Sequence, residues 1–184
     1  MTPRFQQLVI LAFSSPAAAA ASSDVPLNAL DAAATALYLL LLAGEATADR
    51  QMMRFQTEKY RRLRAKEPLG AEFGRAFLCS GLWRYSRHPN YFGEWLLWTG
   101  QFVLCASAFG SGDATGAFVG AGFLSAASPV FVYLLLNYVS GVPLLEKRSD
   151  ERWGGEQVYL AYKQETYVFF LLPTRRTEAS RPLL

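Results

Sequence analysis

The sequence predicts an all-α protein, a polytopic bundle of about three transmembrane helices with an amphipathic C-terminal segment on the cytosolic side. Of its 184 residues, 52% are hydrophobic and only 18% are charged, whereas soluble domains average about 25% charged residues. Lys and Arg are also absent from 91–142, although they are frequent on both sides of it. This distribution is typical of helices that leave one side of a membrane and return to it.

The N-terminal residues resemble a targeting segment. Arg4 precedes a short apolar run, LVILAF, and then a stretch rich in small residues. This order is typical of a signal peptide, and a truncated membrane segment would look the same. We therefore divide the chain into 1–26, a signal-like or partial membrane segment, 27–172, a membrane domain, and 173–184, a tail.

Three apolar stretches follow in the membrane domain. They are 25–48, 91–109 and 117–140, and a helix that crosses a bilayer needs about 20 such residues. The polar stretch 49–80 is predicted to begin as a helix and to end in a loop that contains Pro and Gly. The mixed segment 143–184 is predicted to form an interfacial helical segment followed by a short apolar anchor.

The basic residues predict the orientation in the membrane. The segment 45–90 holds ten of the 18 Lys and Arg residues, and 146–184 holds seven. The positive-inside rule places both segments in the cytosol. We therefore expect an integral membrane protein with its Lys/Arg-rich loop and its C-terminus cytosolic. The endoplasmic reticulum is the expected location in a eukaryote, and a bacterial inner membrane is the alternative.

A polar cluster lies at the start of the second predicted span. The stretch 81–100 reads GLWRYSRHPNYFGEWLLWTG and contains the single histidine of the chain, His88. Pro89 suits the first turn of a helix, and the free N–H groups of that turn favour anions. Arg84 and Arg87 lie beside it, so we predict a site for an anionic cofactor. Simple contact with lipid headgroups is the alternative.

Glu94 lies inside the second predicted span. An ionisable side chain at this depth is costly and normally faces a bundle interior or a wet cavity. Helical spacing places Tyr91, Trp98 and Gln101 on the same face. We therefore favour a polar pocket there. The alternative is a carboxylate that complements the helix dipole in the first turn.

Two further carboxylates end the first predicted span. Glu45 and Asp49 are four residues apart and share a helix face. They could accept hydrogen bonds from ribose hydroxyls or pair with the arginines of the cluster, and ordinary interfacial charge pairing is the alternative. With one histidine and two cysteines, and with no zinc-ligand, P-loop or Rossmann pattern, no metal site is predicted.

Three sequence blocks resemble one protein family. They are GLWRYSRHPNYFGEWLLWTGQF, the upstream GEATADRQMMRFQ, and the downstream VSGVPLLEKRSDERWG with YLAYKQET. In order and spacing they resemble the steroid 5-alpha-reductase C-terminal-like membrane proteins (DUF1295) over roughly residues 40–172. The core formed by Arg87, His88, Pro89, Tyr91 and Gly93 is also similar to that of isoprenylcysteine carboxyl methyltransferases and phospholipid methyltransferases.

The resemblance implies a membrane enzyme that binds NADPH, or S-adenosylmethionine if it follows the methyltransferase relatives. The implied reaction is hydride delivery to the beta carbon of an enone-like lipid and protonation at the alpha carbon. The residues that carry out the chemistry are left open. The implied cofactor-binding residues are Glu45, Asp49, Arg84, Arg87, His88, Asn90, Tyr91 and Glu94.

Three functions are therefore expected in this order: an NADPH-dependent reductase, a membrane methyltransferase, and a non-catalytic descendant of either. In the reductases, a proton-donating tyrosine and its glutamate partner lie on helices upstream of the resembling region, and residues 1–26 do not supply them. Expected partners are a lipid-like small-molecule substrate and membrane lipids, with no nucleic acid.

Overall fold

The computed structural model of the chain describes residues 26, 28–75, 77–109 and 127–174. Within these ranges the secondary structure is helical, so the predicted all-α class is confirmed. A 3-10 turn lies at Gly81–Arg84, and a π-helical turn lies at Leu135–Val139. The α-helices are α1 (Ala29–Ala65), α2 (Gly70–Gly74), α3 (Pro89–Phe109), α4 (Ala127–Leu134), α5 (Val142–Trp153) and α6 (Gln157–Glu165).

The chain divides into two compact units, and both α1 and α3 contribute to each of them. The first unit comprises Met1–Leu42 and Trp95–Leu134. The second comprises Ala43–Glu94 and Leu135–Leu184. All eight predicted cofactor-binding residues lie in the second unit.

Helix α1 has 37 residues, a length of about 55 Å. Its start is fixed by two reciprocal hydrogen bonds, from the Asn28 N–H to the Asp31 carboxylate (2.9 Å) and from the Asp31 N–H to the Asn28 side-chain oxygen (3.3 Å). Such capping satisfies N–H groups that the first turn leaves free. The helix ends where Lys66 adopts a positive φ of 54°. It thus includes residues 49–65 of the polar stretch 49–80, which was predicted to begin as a helix and to end in a loop.

In the first unit, α3 packs against α4 and against the apolar part of α1. The Trp95 indole N–H donates to the Pro129 carbonyl (3.1 Å), and its ring meets Tyr133 edge to face. A Cβ at Gly100 would lie 3.0 Å from the Leu41 side chain. Glycine therefore permits the close helix approach that is common between membrane helices.

The second unit contains two small clusters of apolar side chains, some buried and some half-buried. One joins α1 to the loop before α3 and is formed by Phe55, Leu78 and Trp83, with Met52 and Phe73 packed against it. The other joins that loop to α5 and α6, and its rings are Phe77, Trp153, Tyr159 and Tyr162. These clusters position the loop that carries the predicted site.

Among the described residues, one helical stretch, Ala127–Trp153, is long and apolar enough to cross a membrane by length and composition. The predicted first and second spans coincide largely with helical parts of α1 and α3. Part of the predicted third span, 117–140, lies outside the described residues, as do 1–25 and 175–184. The three-span bundle, its orientation and the domain limits therefore stay predictions.

The C-terminal segment 167–172 was expected to be a short apolar anchor, and this stays a prediction. After α6, residues 167–172 are not helical, and Phe169 is only 4% exposed. The Phe169 carbonyl accepts a hydrogen bond from the Ser86 hydroxyl (2.8 Å). Phe169 thus packs within the second unit, while Val168, Phe170 and Leu172 are exposed.

Candidate functional site

The loop that leads into α3 is attached to α1. The buried Trp83 indole N–H donates to the Ala48 carbonyl (3.1 Å), and the Leu82 N–H donates to the Gln51 side-chain oxygen (2.9 Å). Gly81 has a φ of +62°, and a Cβ there would lie 2.5 Å from the Gln51 side chain. The left-handed backbone conformation therefore favours glycine at this position.

The same loop is also hydrogen-bonded to α6 and to the residues that follow α6. The Arg87 N–H donates to the Tyr167 carbonyl (2.8 Å), and the Tyr162 hydroxyl donates to the Trp83 carbonyl (2.6 Å). The Thr166 hydroxyl donates to the Arg84 carbonyl (3.3 Å). The loop carbonyls and N–H groups are thus satisfied by residues about 80 positions away.

Glu146 on α5 lies at the centre of this arrangement. Its carboxylate accepts two hydrogen bonds from the Arg87 guanidinium (3.1 and 2.8 Å) and one from the His88 Nε2 (2.9 Å). The remaining Arg87 nitrogen donates to the carbonyls of Lys163 (2.6 Å) and Thr166 (2.9 Å). Because a carboxylate can only accept, His88 carries its proton on Nε2 in this bond. Arg87 and His88 are both buried, and the side chains of both are hydrogen-bonded to other residues of the protein.

A second ion pair extends the network to α6. The Lys163 ammonium lies 2.6 Å from one Asp150 oxygen and 3.6 Å from Glu146. The Tyr159 hydroxyl donates to Asp150 (3.0 Å). Burial raises the pKa of Tyr159, and the hydrogen bond to Asp150 raises it further. Helices α5 and α6 are thus joined by paired charges in addition to their aromatic contacts.

Three carboxylates form a separate group where α1 meets α3. A Cβ at Gly93 would lie 2.8 Å from the Glu45 Cβ and 3.0 Å from its Cα, so glycine permits this close approach. Glu45, Asp49 and Glu94 are near enough for mutual charge repulsion. One Glu45 carboxylate oxygen, Oε2, is buried and has no hydrogen-bond partner among the described residues.

The predicted site residues fall into two classes. Arg87 and His88 are committed to Glu146, and the Tyr91 ring stacks on His88 with centroids 5.8 Å apart. The other side chains have no hydrogen bond or ion pair within the described ranges; they are Glu45, Asp49, Arg84, Asn90 and Glu94. The uncommitted polar groups are those that a ligand can use.

The first turn of α3 adds backbone donors. Pro89 begins the helix, and the Phe92 N–H is bonded to the His88 carbonyl. The preceding N–H groups, those of Asn90 and Tyr91, have no carbonyl partner one turn earlier within the helix. The sequence predicted this helix start, and a helix start of this kind favours anions; the anion site itself stays a prediction.

Sequence reasoning did not place Glu146 in the site. The residue is followed by Lys147 and Arg148, and those two positive charges indicated a cytosolic stop after a span. The partners of Glu146 are 58 and 59 residues away, so no local pattern could have identified them.

The described residues contain no group of three His, Cys, Asp or Glu side chains arranged to hold a metal ion. The carboxylates at the α1–α3 crossing instead present acceptors. They suit the hydroxyl, amide or ammonium donors of an organic ligand.

Comparison with known proteins gives a family match and one relative. Residues 3–166 match a family described as "Protein of unknown function (DUF1295)". An uncharacterized protein of Schizosaccharomyces pombe is 26% identical, and the match covers 90% of this chain and 46% of that protein. The chain therefore spans about half the length of this curated relative. No solved structure matches the chain significantly.

Proposed function

This chain belongs to the DUF1295 family, the steroid 5-alpha-reductase-like family of membrane proteins, and on that basis we propose that it is an NADPH-dependent membrane oxidoreductase. Its proposed substrate is a carbon–carbon double bond in a lipid or steroid-like molecule. The observation that carries the proposal is the buried Glu45 oxygen without a donor. An unsatisfied buried group costs about 1–3 kcal/mol, which a ligand hydroxyl or amide would recover.

The uncommitted residues fit the polar parts of such a cofactor. Glu45 and Asp49 would accept hydrogen bonds from ribose hydroxyls. Asn90 and Glu94 would orient the carboxamide of the nicotinamide. Arg84, which has no side-chain partner within the described ranges, would bind phosphate together with the first N–H groups of α3.

The predicted site residues that already have partners within the protein would act differently. The prediction of cofactor contacts at Arg87, His88 and Tyr91 stays a prediction. The Arg87 guanidinium, however, already donates its hydrogen bonds to Glu146 and to two backbone carbonyls. In this geometry Arg87 and His88 position the loop that opens α3. The Tyr91 ring lies against His88 and would limit the rotation of the imidazole.

When bound, NADPH would supply a hydride to the beta carbon of an enone-like substrate, whose alpha carbon then takes a proton. The chain contributes binding and exclusion of water at this site. Gly93 allows α3 to approach α1 closely at Glu45, so that an acceptor lies shielded from bulk water. A shielded charge interacts more strongly with its ligand than an exposed one.

One observation favours a second candidate, an S-adenosylmethionine-dependent methyltransferase. Glu45, Asp49 and Glu94 bring three carboxylates together, while Arg84 is the uncommitted cation among the predicted site residues. An acidic site attracts a sulfonium and an ammonium more than it attracts the phosphates of NADPH. The methyltransferase would use the same two carboxylates of α1 for the ribose.

Thermal unfolding of the purified full chain in detergent tests the proposal. A cofactor at about 100 times its dissociation constant stabilises the folded state by about 2.7 kcal/mol. We expect NADPH to raise the melting temperature, and Glu45→Gln to weaken this response. The matched control is Glu156→Gln, since Glu156 is exposed and outside the site.

The other outcomes separate the candidates. A response to S-adenosylmethionine alone supports the methyltransferase and contradicts the reductase. A chain that responds to neither cofactor contradicts both and supports a non-catalytic role. An equal response of the Glu45→Gln variant and wild type would remove Glu45 from the site.

A further inference from the structure

A cleft with a volume of about 400 Å³ lies in the second unit beside α1. Its wall on α1 includes Arg54 and Glu58, while Glu72 lines it from α2 and Gly81 from the turn before α3. Nine residues separate Glu45 from Arg54, which at 3.6 residues per turn is a rotation of about 180° around the helix. The cleft is therefore distinct from the carboxylate group at the α1–α3 crossing.

Two opposite charges in this cleft are available to a ligand. Arg54 is exposed and has no hydrogen bond or ion pair within the described ranges. Glu72, also exposed, accepts a hydrogen bond from the Ser80 hydroxyl (3.2 Å) and takes part in no described ion pair. Glu58, in contrast, is paired with Arg61 and Arg62 at 2.8 and 2.7 Å. A ligand with a separated positive and negative charge complements Arg54 and Glu72.

The aromatic side chains of the cleft indicate which cation fits. Phe55 is only 3% exposed and stacks on Phe73 with centroids 5.4 Å apart. The Arg62 guanidinium covers the Phe73 ring at 4.6 Å. Quaternary ammonium groups are recognised by open aromatic faces, and these faces are already in contact. A primary ammonium, which donates hydrogen bonds to a carboxylate, suits Glu72 better.

The position of the cleft along α1 places it near the membrane surface. Arg54 follows the end of the predicted span 25–48 by six residues, about 9 Å along the helix axis. The polar layer on each side of the hydrocarbon core is about 5–7.5 Å thick. Arg54 therefore lies just beyond this layer, and its long side chain, which leans back toward the start of the helix, can reach the level of the phosphates.

We propose that this cleft binds the headgroup of a zwitterionic phospholipid of the ethanolamine type. The phosphate would lie on Arg54 and the primary ammonium on Glu72. The cleft volume falls within the range of small-molecule sites, roughly 300–1,000 Å³. The inference rests on the proposed membrane placement of α1 and is independent of the cofactor and of the reaction.

Native mass spectrometry of the full chain in detergent tests the assignment. Phosphatidylethanolamine, phosphatidylcholine and phosphatidylglycerol with identical acyl chains are titrated separately, and soluble glycerophosphoethanolamine forms a fourth arm. We expect the ethanolamine lipid to bind most tightly. Arg54→Gln should weaken its binding about tenfold, because a charge-assisted hydrogen bond is lost.

Two further variants make the test specific. Glu72→Gln should remove the preference for the ethanolamine lipid over the glycerol lipid while leaving phosphate binding in place. Arg64→Gln is the matched control, since Arg64 is exposed on the same helix and does not line the cleft. It should bind all three lipids as wild type does.

Several results would overturn the proposal. They are unchanged lipid binding in Arg54→Gln, an equal loss in Arg64→Gln, and a wild-type preference for the glycerol or choline lipid. Equally tight binding of glycerophosphoethanolamine would assign the cleft to a soluble ligand. Melting temperatures with and without NADPH on the same samples show whether a failure concerns this cleft or the cofactor site.

Discussion

The carboxylate of Glu146 is 17% exposed and has Arg87 and His88 as its nearest charged or ionisable partners. The Arg87 side chain is itself only 8% exposed. A buried guanidinium without its counter-charge is strongly unfavourable, whereas an exposed ion pair contributes little. The pairing at Glu146 therefore matters more to the fold than the other ion pairs of α5.

Glu146→Gln should lower the stability of the chain by about 3 kcal/mol, because the buried Arg87 charge loses its partner. The melting temperature in detergent measures the effect. Glu151→Gln is the control, since Glu151 is 64% exposed and lies 4.0 Å from Lys147. Equal melting temperatures for the two variants would contradict the central role of Glu146.

Individual site residues were predictable from the sequence only in part. Glu45, Asp49 and Glu94 are acids next to apolar stretches, and their unusual placement marked them. Arg87 and His88 were marked by the same reasoning, but their commitment to Glu146 depends on a contact across 58 residues or more. A sequence shows which side chains are unusual in their surroundings and does not show which partners satisfy them.

At the scale of elements, the segment after α6 has the largest influence on the loop that opens α3. The Ser86 hydroxyl donates to the Phe169 carbonyl (2.8 Å), and the Arg87 N–H donates to the Tyr167 carbonyl (2.8 Å). Phe169 is buried beneath this contact, while its neighbour Phe170 is 41% exposed. The Phe169 ring therefore stabilises the second unit by packing, whereas the Phe170 ring lies at the surface.

Phe169→Ala should destabilise the chain by about 3–5 kcal/mol, as expected for a buried aromatic side chain. Phe170→Ala should have a clearly smaller effect because its ring is partly exposed. Thermal unfolding in detergent compares the two variants directly. An anchor that inserts both rings into lipid would instead give similar stability for both and weaker membrane retention for both.

The helices were more predictable than their contacts. Long apolar stretches and a polar continuation without Pro or Gly predicted α1, and Pro89 predicted the start of α3. The expected anchor at 167–172 stays a prediction, because Phe169 packs against protein while Phe170 is exposed. Composition alone cannot distinguish these two environments in a short stretch.

At the scale of the whole molecule, membership in a membrane family and the distribution of charge support one orientation. The positive-inside rule predicts the cytosolic side for the basic residues of 45–90 and 146–184. The chain covers 46% of its S. pombe relative, so the substrate and activity of a whole protein are proposals. The fold class was predictable, whereas the number of spans was not confirmed.

Thiol labelling in sealed vesicles tests this orientation. In a chain whose Cys79 and Cys105 are replaced by Ala, Thr57→Cys and Glu151→Cys each introduce a single exposed thiol. A membrane-impermeant maleimide should label both from the cytosolic side. Labelling of the two positions from opposite sides, or of both from the lumen, would contradict the proposed topology.

Helix α1 runs without interruption past both the carboxylate group and the cleft at Arg54. Adding or deleting one residue between Glu45 and Arg54 would turn one site by about 100° relative to the other. Insertions and deletions within this helix would therefore misalign the two binding faces. Among related proteins, we therefore expect ligand preference at these two places to change by substitution of side chains, without insertions or deletions between Glu45 and Arg54. Insertions and deletions are expected outside this part of α1.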